Sequence, residues 1–390
     1  MRCEYRKVKL ADLTTTGKGT YGIAASGVEK NDNLYTYLRI TDINDDGTLN
    51  QSDMKSVADD DAAQYLLKPN DIVFARTGGS TGRNYFYDGK DGTFVYAGFL
   101  IKFSIDPLKV NPKYIKYYCQ SDVYKNWVRS FNTGSTRGNI NAQTFGNMEI
   151  PLPPREQQDY LVSVLEPLDE KIATNRAINE NLQQQTAALF SNLYDRSNTE
   201  VRFTDLIQIL GGGTPKTGEN TYWNGNIAFF TPKDIGTPYT LITEKTITEE
   251  GLSHCNSRLY PVNTVFVTAR GTVGKVGMSG VPMAMNQSCY ALVGKETHQL
   301  LVYFYTLKAV DRLKHKASGA VFDAITTKDF ESEQIMKLSD DDATAFLRVA
   351  EPMFQEVLNN NIENLRLSTL RDSLLPKLMS GEIDVSAVQL

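Results

Sequence analysis

The chain has 390 residues, 41% of them hydrophobic and 22% charged, with a formal net charge of −5. Length and composition predict two or three domains with full cores and exclude wholesale disorder. The longest apolar runs, such as Val95–Ile101, fall far short of the ~20 residues a membrane helix needs, and no secretory leader is visible.

Cys3, Cys119, Cys255 and Cys289 are scattered and form no C-x-x-C pair. That excludes a disulfide framework and a thiolate zinc site, and fits a reducing cytoplasm. His254, His298 and His315 are the only histidines, which leaves little room for a histidine metal site or a His-centred triad.

In chain order, β-branched and aromatic runs at Tyr35–Ile40, Asp71–Ala75 and Phe94–Phe103 predict strands, with glycine-rich turns between them. A helical segment is expected near Pro112–Phe131. Pro151-Leu-Pro-Pro154 then stops the first body and lets a long helix begin. The seam of that helix runs Leu161, Leu165, Leu168, Ile172, Asn175, Asn179, Leu182, Thr186, Leu189, Leu193, an unbroken 4,3 spacing of coiled-coil period. A second body follows, with strands at Ile227–Phe230 and Thr264–Thr268 and a helix near His298–Lys316. Ser339 and Asp340–Asp342 suit a second helix start. Its seam runs Phe346, Ala350, Met353, Val357, Asn360, Asn364, Leu367, Arg371, Leu374, Leu378, and Gly381 can end it. Pro167 and Pro352 occupy equivalent places and should kink each helix or delay its start.

These tails are an internal repeat. Phe145 and Ile150 align with Phe330 and Ile335, and Glu166-Pro167 with Glu351-Pro352, at an offset of 185 without a gap. Upstream the likeness is looser: Val8-Lys9-Leu10 resembles Val201-Arg202-Phe203, and Ala75-Arg76…Gly82-Arg83 resembles Ala269-Arg270…Gly274-Lys275. The expected segments are a body at 1–152, a helical region at 153–197, a body at 198–338 and a helical region at 339–390.

Amphipathic helices of this length need a partner, and each tail can serve the other. Run antiparallel, Asn175 faces Asn364 and Asn179 faces Asn360, so four amides meet, can satisfy one another and fix the register. A parallel pair also matches asparagine with asparagine. Chain order favours the antiparallel pair, because a parallel one would make the intervening body span the whole helix. At 1.5 Å per residue the first helix would be ~50 Å long, a ruler between the bodies. The competing reading packs each helix on its own body.

Charge is uneven. Residues 68–139 hold 11 Lys/Arg against 5 Asp/Glu, residues 258–316 hold 8 against 2, and residues 42–61 hold seven aspartates against one lysine. Two basic stretches in an acidic chain suit phosphate binding, which depends on local charge. They could equally be ordinary solvated faces. Within them, Arg76-Thr77-Gly-Gly-Ser80-Thr81-Gly-Arg83 and Arg270-Gly-Thr272-Val-Gly-Lys275 lack Walker and G-x-G-x-x-G spacing. They read instead as strand-ending loops rich in donors for a DNA backbone or base edge. Gly211–Lys216 with Thr214 and Tyr222-Trp223 opens the second body, as Gly17-Lys18-Gly-Thr-Tyr21 opens the first. No catalytic constellation stands out.

Four stretches resemble the specificity (S) subunits of type I restriction–modification systems: Leu67–Gly78; Ile150–Gln157 running into Leu168–Ile172 and Asn175–Leu182; Gly212–Lys216 through Tyr222-Trp223 to Thr231-Pro-Lys233-Asp-Ile235; and Leu374–Ile383. The second tail departs from the family pattern, with Met336-Lys-Leu-Ser339 in place of Pro-Leu-Pro-Pro, which puts the start of its helix in doubt. The resemblance implies an α+β chain: two mixed α/β target-recognition domains separated by two long helices paired as an antiparallel coiled coil.

The resemblance further implies that each domain reads half of a split double-stranded DNA target while the helices set the spacer and dock two methylation subunits. Adenine methylation with S-adenosylmethionine, and the ATP- and Mg2+-dependent work of motor–nuclease subunits, belong to those partners. This chain then needs no cofactor, metal or membrane. The expected DNA contacts are Lys18, Tyr21, Arg76, Thr77, Ser80, Thr81, Arg83, Arg137, Asn139 and Asn141 in the first body. In the second they are Thr214, Lys216, Tyr222, Lys233, Arg270, Thr272, Lys275, Asn286 and Gln287. The rival readings are a duplicated DNA-modifying enzyme and a protein scaffold with no DNA role.

Overall fold

The computed structural model describes residues 5–131, 138–236, 238–316 and 324–383. These fall into two compact units, one reaching residue 170 and resuming at 368, the other spanning 171–367.

In the first unit, strand Asp71–Ala75 is buried on both faces because its side chains alternate between two cores. Ile72 and Phe74 join Phe103, Tyr114 and Phe145, while Val73 and Ala75 join Leu38, Tyr85 and Phe94. One four-stranded sheet runs in the order Thr20–Tyr21, Leu100–Ser104, Asp71–Ala75, Asn84–Tyr87. The other runs Gly27–Val28, Lys55–Val57, Tyr35–Leu38, Phe94–Tyr96. The predicted run Phe94–Phe103 is therefore two strands, and the turn at residues 97–99 carries the chain from one sheet to the other.

The expected helix near Pro112–Phe131 is also two, Pro112–Tyr118 and Asp122–Arg129, each with its own N-cap. The Asn111 side chain accepts from Lys113 N and the Ser121 side chain from Tyr124 N.

The second unit repeats this plan. Ile207–Gly211, Cys289–Gly294, Val265–Thr268, Val276–Ser279 and Tyr239–Thr240 make one sheet, and Lys245–Ile247, Trp223–Phe230 and Met283–Met285 the other. Each unit also closes a two-stranded ladder between its first strand and the one before its long helix. Val8 pairs with Ile150 and Val201 with Ile335.

Those strands lead into helices Arg155–Asp195 and Asp340–Ser380, whose boundaries are 185 residues apart at both ends. Met336–Ser339 thus enters its helix where Pro151–Pro154 does. Pro167 and Pro352 lie inside the helices, so neither delays the start. Gly381, at φ 70°, ends the second.

The two helices run antiparallel. Partners of the first descend along the second: Asp169 meets Arg371, Asn175 meets Asn364, Asn179 meets Asn360, Thr186 meets Met353, and Arg196, just beyond the helix, meets Asp342.

The asparagine centre differs from four amides satisfying one another. Asn175 Nδ2 donates to Glu363 Oε2 (2.7 Å) and to Asn364 Oδ1 (3.0 Å), while Asn175 Oδ1 is buried without a partner. Asn360 Nδ2 donates to Asn179 Oδ1 (2.9 Å), and Asn179 Nδ2 donates to Asn361 Oδ1 (2.9 Å). Glu363 and Asn361, outside the apolar stripe, complete the network. The hydrogen bond from Asn175, with Lys171 beside it, holds the Glu363 carboxyl below its ordinary range.

Pairing and packing on the bodies occur together. Leu161, Leu165, Leu375 and Leu378 share a core with Tyr114 and Phe145 of the first body. Phe190, Leu193, Phe346, Ala350 and Val357 share one with Phe304 and Phe330 of the second. The helical regions therefore do not form compact units of their own: each body holds one end of both helices.

Asp169 anchors one such end. Its Oδ2 accepts from Lys116 Nζ (2.8 Å) and Tyr117 Oη (2.9 Å), and its Oδ1 accepts from Arg371 Nη1 (3.0 Å). Burial pushes this carboxyl up, but Lys116 and Arg371 outweigh it and leave it below its ordinary value. A depressed carboxyl stabilises the fold above its unfolded pKa, and that contribution is lost as pH falls through the lower folded value. Asp169→Asn should therefore cost about 2 kcal/mol at pH 7, lowering the melting temperature by about 5 °C. The gap should narrow below about pH 4. Scanning calorimetry at the two pH values checks both expectations.

Candidate nucleic-acid interface

In the first body, strand Asp71–Ala75 leaves its sheet through a loop closed by its own backbone. Ala75 N donates to Arg83 O (2.8 Å), Gly82 N to Ala75 O (2.9 Å) and Arg83 N to Ser80 O (2.9 Å). Gly82 has φ 86°, and a Cβ there would lie 2.4 Å from Val128, so glycine both permits the turn and lets helix Asp122–Arg129 touch it.

Three further bonds zip the loop to its neighbours: Arg76 N to Phe99 O (3.0 Å), Ile140 N to Arg76 O (2.9 Å) and Thr81 Oγ1 to Gly138 O (2.9 Å). Thr77 bridges Asn139, and Asn141 caps helix Ala142–Gly146. Tyr21 closes the group. Its hydroxyl accepts from Ala142 N (3.2 Å), and its ring lies 5.0 Å from the Arg76 guanidinium carbon. Arg76, Thr77, Ser80, Thr81, Asn139, Asn141 and Tyr21 thus share one place on the first body. Lys18 is exposed in the preceding turn, and Arg137 lies outside the described residues.

The second body builds the same loop with one residue fewer. Thr268 N donates to Lys275 O (3.0 Å), Gly274 N to Thr268 O (2.8 Å), Ala269 N to Ser288 O (2.8 Å) and Ile325 N to Ala269 O (3.0 Å). Matching these bonds pairs Arg83 with Lys275 but Arg76 with Ala269. Arg270 stands at the place of Thr77, bridging Ala324 as Thr77 bridges Asn139. The sequence alignment of Arg76 with Arg270 is thereby corrected by one residue.

Arg270, Thr272 and Lys275 are exposed around this loop. Thr272 Oγ1 donates to Pro232 O (3.3 Å), next to Lys233, whose ammonium lies 3.9 Å from Glu244. Thr214 and Gln287 are hydrogen-bonded to each other beside Ser288. The Asn286 side-chain Oδ1 accepts from Ser288 N (3.0 Å) and so serves its own turn.

Lys216 and Tyr222 lie elsewhere in the bonding pattern. Lys216 O accepts from Trp223 Nε1 (3.1 Å), and Tyr222 stacks on His254 at 4.9 Å. Among the described residues, no hydrogen bond or ring contact ties either to the Arg270 loop.

The basic stretches are less positive in three dimensions than in the sequence. Lys90, Lys102, Lys113 and Lys116 pair with Glu170, Asp71, Glu166 and Asp169. Arg83 donates Nε to Asp45 Oδ1 (2.7 Å), Nη2 to Asp45 Oδ2 (3.3 Å) and Nη1 to Ile43 O (3.1 Å). The acidic stretch thus holds Arg83, a role for Asp45 that charge counting could not show. Arg76, Arg270 and Lys275 make no ion pair among the described residues. No cluster of metal-ligating side chains occurs among them, and no helix there is long and apolar enough to cross a membrane.

The comparisons with known proteins agree with this duplicated architecture. The family model described as type I restriction modification DNA specificity domain matches twice, over residues 3–184 and 196–337. The HindI specificity subunit of Haemophilus influenzae is 21% identical over 82% of this chain and 88% of its own. The EcoR124I/EcoR124II specificity subunit of Escherichia coli is 26% identical over 52% of each. The crystal structure of the type I restriction–modification S subunit from M. genitalium covers 96% of both chains at 14% identity and a TM-score of 0.60, a likeness of fold.

Two bodies of one plan, joined through long paired helices, define the class, and the chain belongs to the type I restriction–modification DNA specificity family. It is a type I specificity subunit with two recognition domains.

Proposed function

We propose that each body reads one half of a bipartite double-stranded DNA target, that the helix pair sets the unread spacer, and that it docks two methylation subunits. The observation that carries this reading is the twin strand-end loop. It is built by the same backbone bonds in both bodies and presents Arg76 in the first, and Arg270 and Lys275 in the second, none of them in an ion pair among the described residues. Arg76 with Thr77, Ser80, Thr81, Asn139 and Asn141 would serve one half-site. Arg270, Thr272 and Lys275 with Thr214, Lys233 and Gln287 would serve the other. Arg and Asn/Gln match base edges in the major groove, and the hydroxyls suit phosphates.

Lys18, Lys216, Tyr222, Asn286 and Arg137 complete the proposed contacts, with Arg83 positioning its loop through Asp45. The chain itself is non-catalytic on this reading and works in the cytoplasm without a cofactor. S-adenosylmethionine belongs to the methylation subunits, and ATP and Mg2+ to the motor–nuclease subunits. Mapping methylated adenines by long-read sequencing, in cells with and without this chain, tests it. One bipartite motif should appear only with the chain. A motif that is continuous, or unchanged by the chain's removal, refutes the reading.

A further inference from the structure

Resting on that reading, we propose that Phe99 is a specificity-determining residue: it meets the C5-methyl group of a thymine in the half-site read by the first body, beside the base edge taken by Arg76. Phe99 sits in the turn where the chain passes from strand Phe94–Tyr96 to strand Leu100–Ser104. It is 58% exposed, although Leu100 and Ile101 next to it are fully buried. An outside partner that covered this ring would recover the burial energy its exposure forgoes.

Its neighbours say what kind. The Phe99 carbonyl accepts from Arg76 N, and Tyr21, itself 42% exposed, lies across the same sheet, opposite Ile101. The Arg76 guanidinium lies over the Tyr21 ring rather than against a carboxylate, and its Nε is buried without a hydrogen-bond partner. Phe99 is thus the backbone partner of Arg76, and Thr77, the next residue, bridges Asn139, so the position offers one apolar side chain on a loop of donors. In the major groove, the thymine methyl is the apolar feature of the base-pair edges, and arginine matches the guanine edge.

The second body supplies an internal control. Its matching hydrogen bonds place Gly211, Ala269 and Ser288 where the first body has Tyr21, Arg76 and Phe99. Two bodies that share a backbone plan therefore carry different side chains at these three positions. Such a difference would give the two bodies different bases to read.

The test uses the full chain assembled with its methylation subunits and duplexes carrying the mapped motif. Each thymine of the first half-site is replaced in turn by uracil, which lacks only the methyl. One replacement should weaken binding by the unaltered protein about fourfold and leave the Phe99→Ala variant unaffected. Phe99→Leu should keep part of the sensitivity, and replacements in the second half-site should act equally on both proteins.

The proposal is overturned if the first half-site contains no thymine, if every replacement acts equally on protein and variant, or if Phe99→Ala binds as tightly as the unaltered protein. It is also overturned if Phe99→Ala fails to assemble with the methylation subunits in the absence of DNA, which would make Phe99 a protein contact. Arg76→Ala separates the two levels. If it weakens binding while Phe99→Ala does not, only the role of Phe99 falls; if neither does, the assignment of this loop to DNA falls with it.

Discussion

Arg76→Ala is expected to lower affinity for one half-site roughly 5- to 150-fold, equivalent to about 1–3 kcal/mol, while Arg270→Ala does the same to the other. Arg76 is set by backbone bonds to Phe99 and Ile140 and rests on Tyr21, so its truncation should leave the loop closed. Arg270 is an exposed strand-end residue whose backbone is held by Ser288 and Ala324. Because Arg270 occupies the place of Thr77 rather than of Arg76, the two changes should relax different positions within their half-sites. Motif mapping of each variant checks this. Relaxation of the same half-site by both, or of neither, refutes the pairing of loops with half-sites. A base contact should also change the motif, whereas a phosphate contact would weaken binding across all sequences and reduce its salt dependence.

The second large effect concerns the helices. Inserting seven residues within Glu180–Gln185, together with seven in the facing stretch 354–359, should lengthen the spacer by about 3 base pairs. Seven helical residues rise ~10.5 Å, against ~3.4 Å per base pair. Matching the insertions preserves the heptad phase and keeps Asn175 opposite Asn364, while the two ends stay in their own cores. An insertion in one helix alone would pull Thr186 away from Met353 while Asn179 kept Asn360, so it should destabilise the pair without yielding a new defined spacer. Methylome mapping of the doubly inserted chain reads the result directly. An unchanged spacer with full activity would refute the ruler.

Much of the scaffold was legible from residue order. The offset of 185 carried over to both boundaries of both long helices and to the strands before them, because periodicity and capping act between residues a few positions apart. The asparagine positions, taken together with chain order, were enough to propose which residues face each other. The loops were legible as donor-rich strand ends, but their alignment slipped by one because the second is a residue shorter. Spacing of Arg-Gly patterns cannot reveal which backbone N–H closes the turn.

By itself, then, the amino-acid order determined that this chain is duplicated, where its long helices lie and which stripe of each is buried, since all of these follow from local pattern and repetition. Only the tertiary structure decided which charges remain free, which side chains complete the asparagine centre, and that each body holds one end of both helices. Those outcomes depend on partners far apart in the chain, such as Asp45 with Arg83, Lys116 with Asp169, Asn175 with Glu363 and Phe190 with Phe346. A carboxylate that neutralises a cation, or a ring that completes a core, acts through distance in space, which no window along the sequence measures.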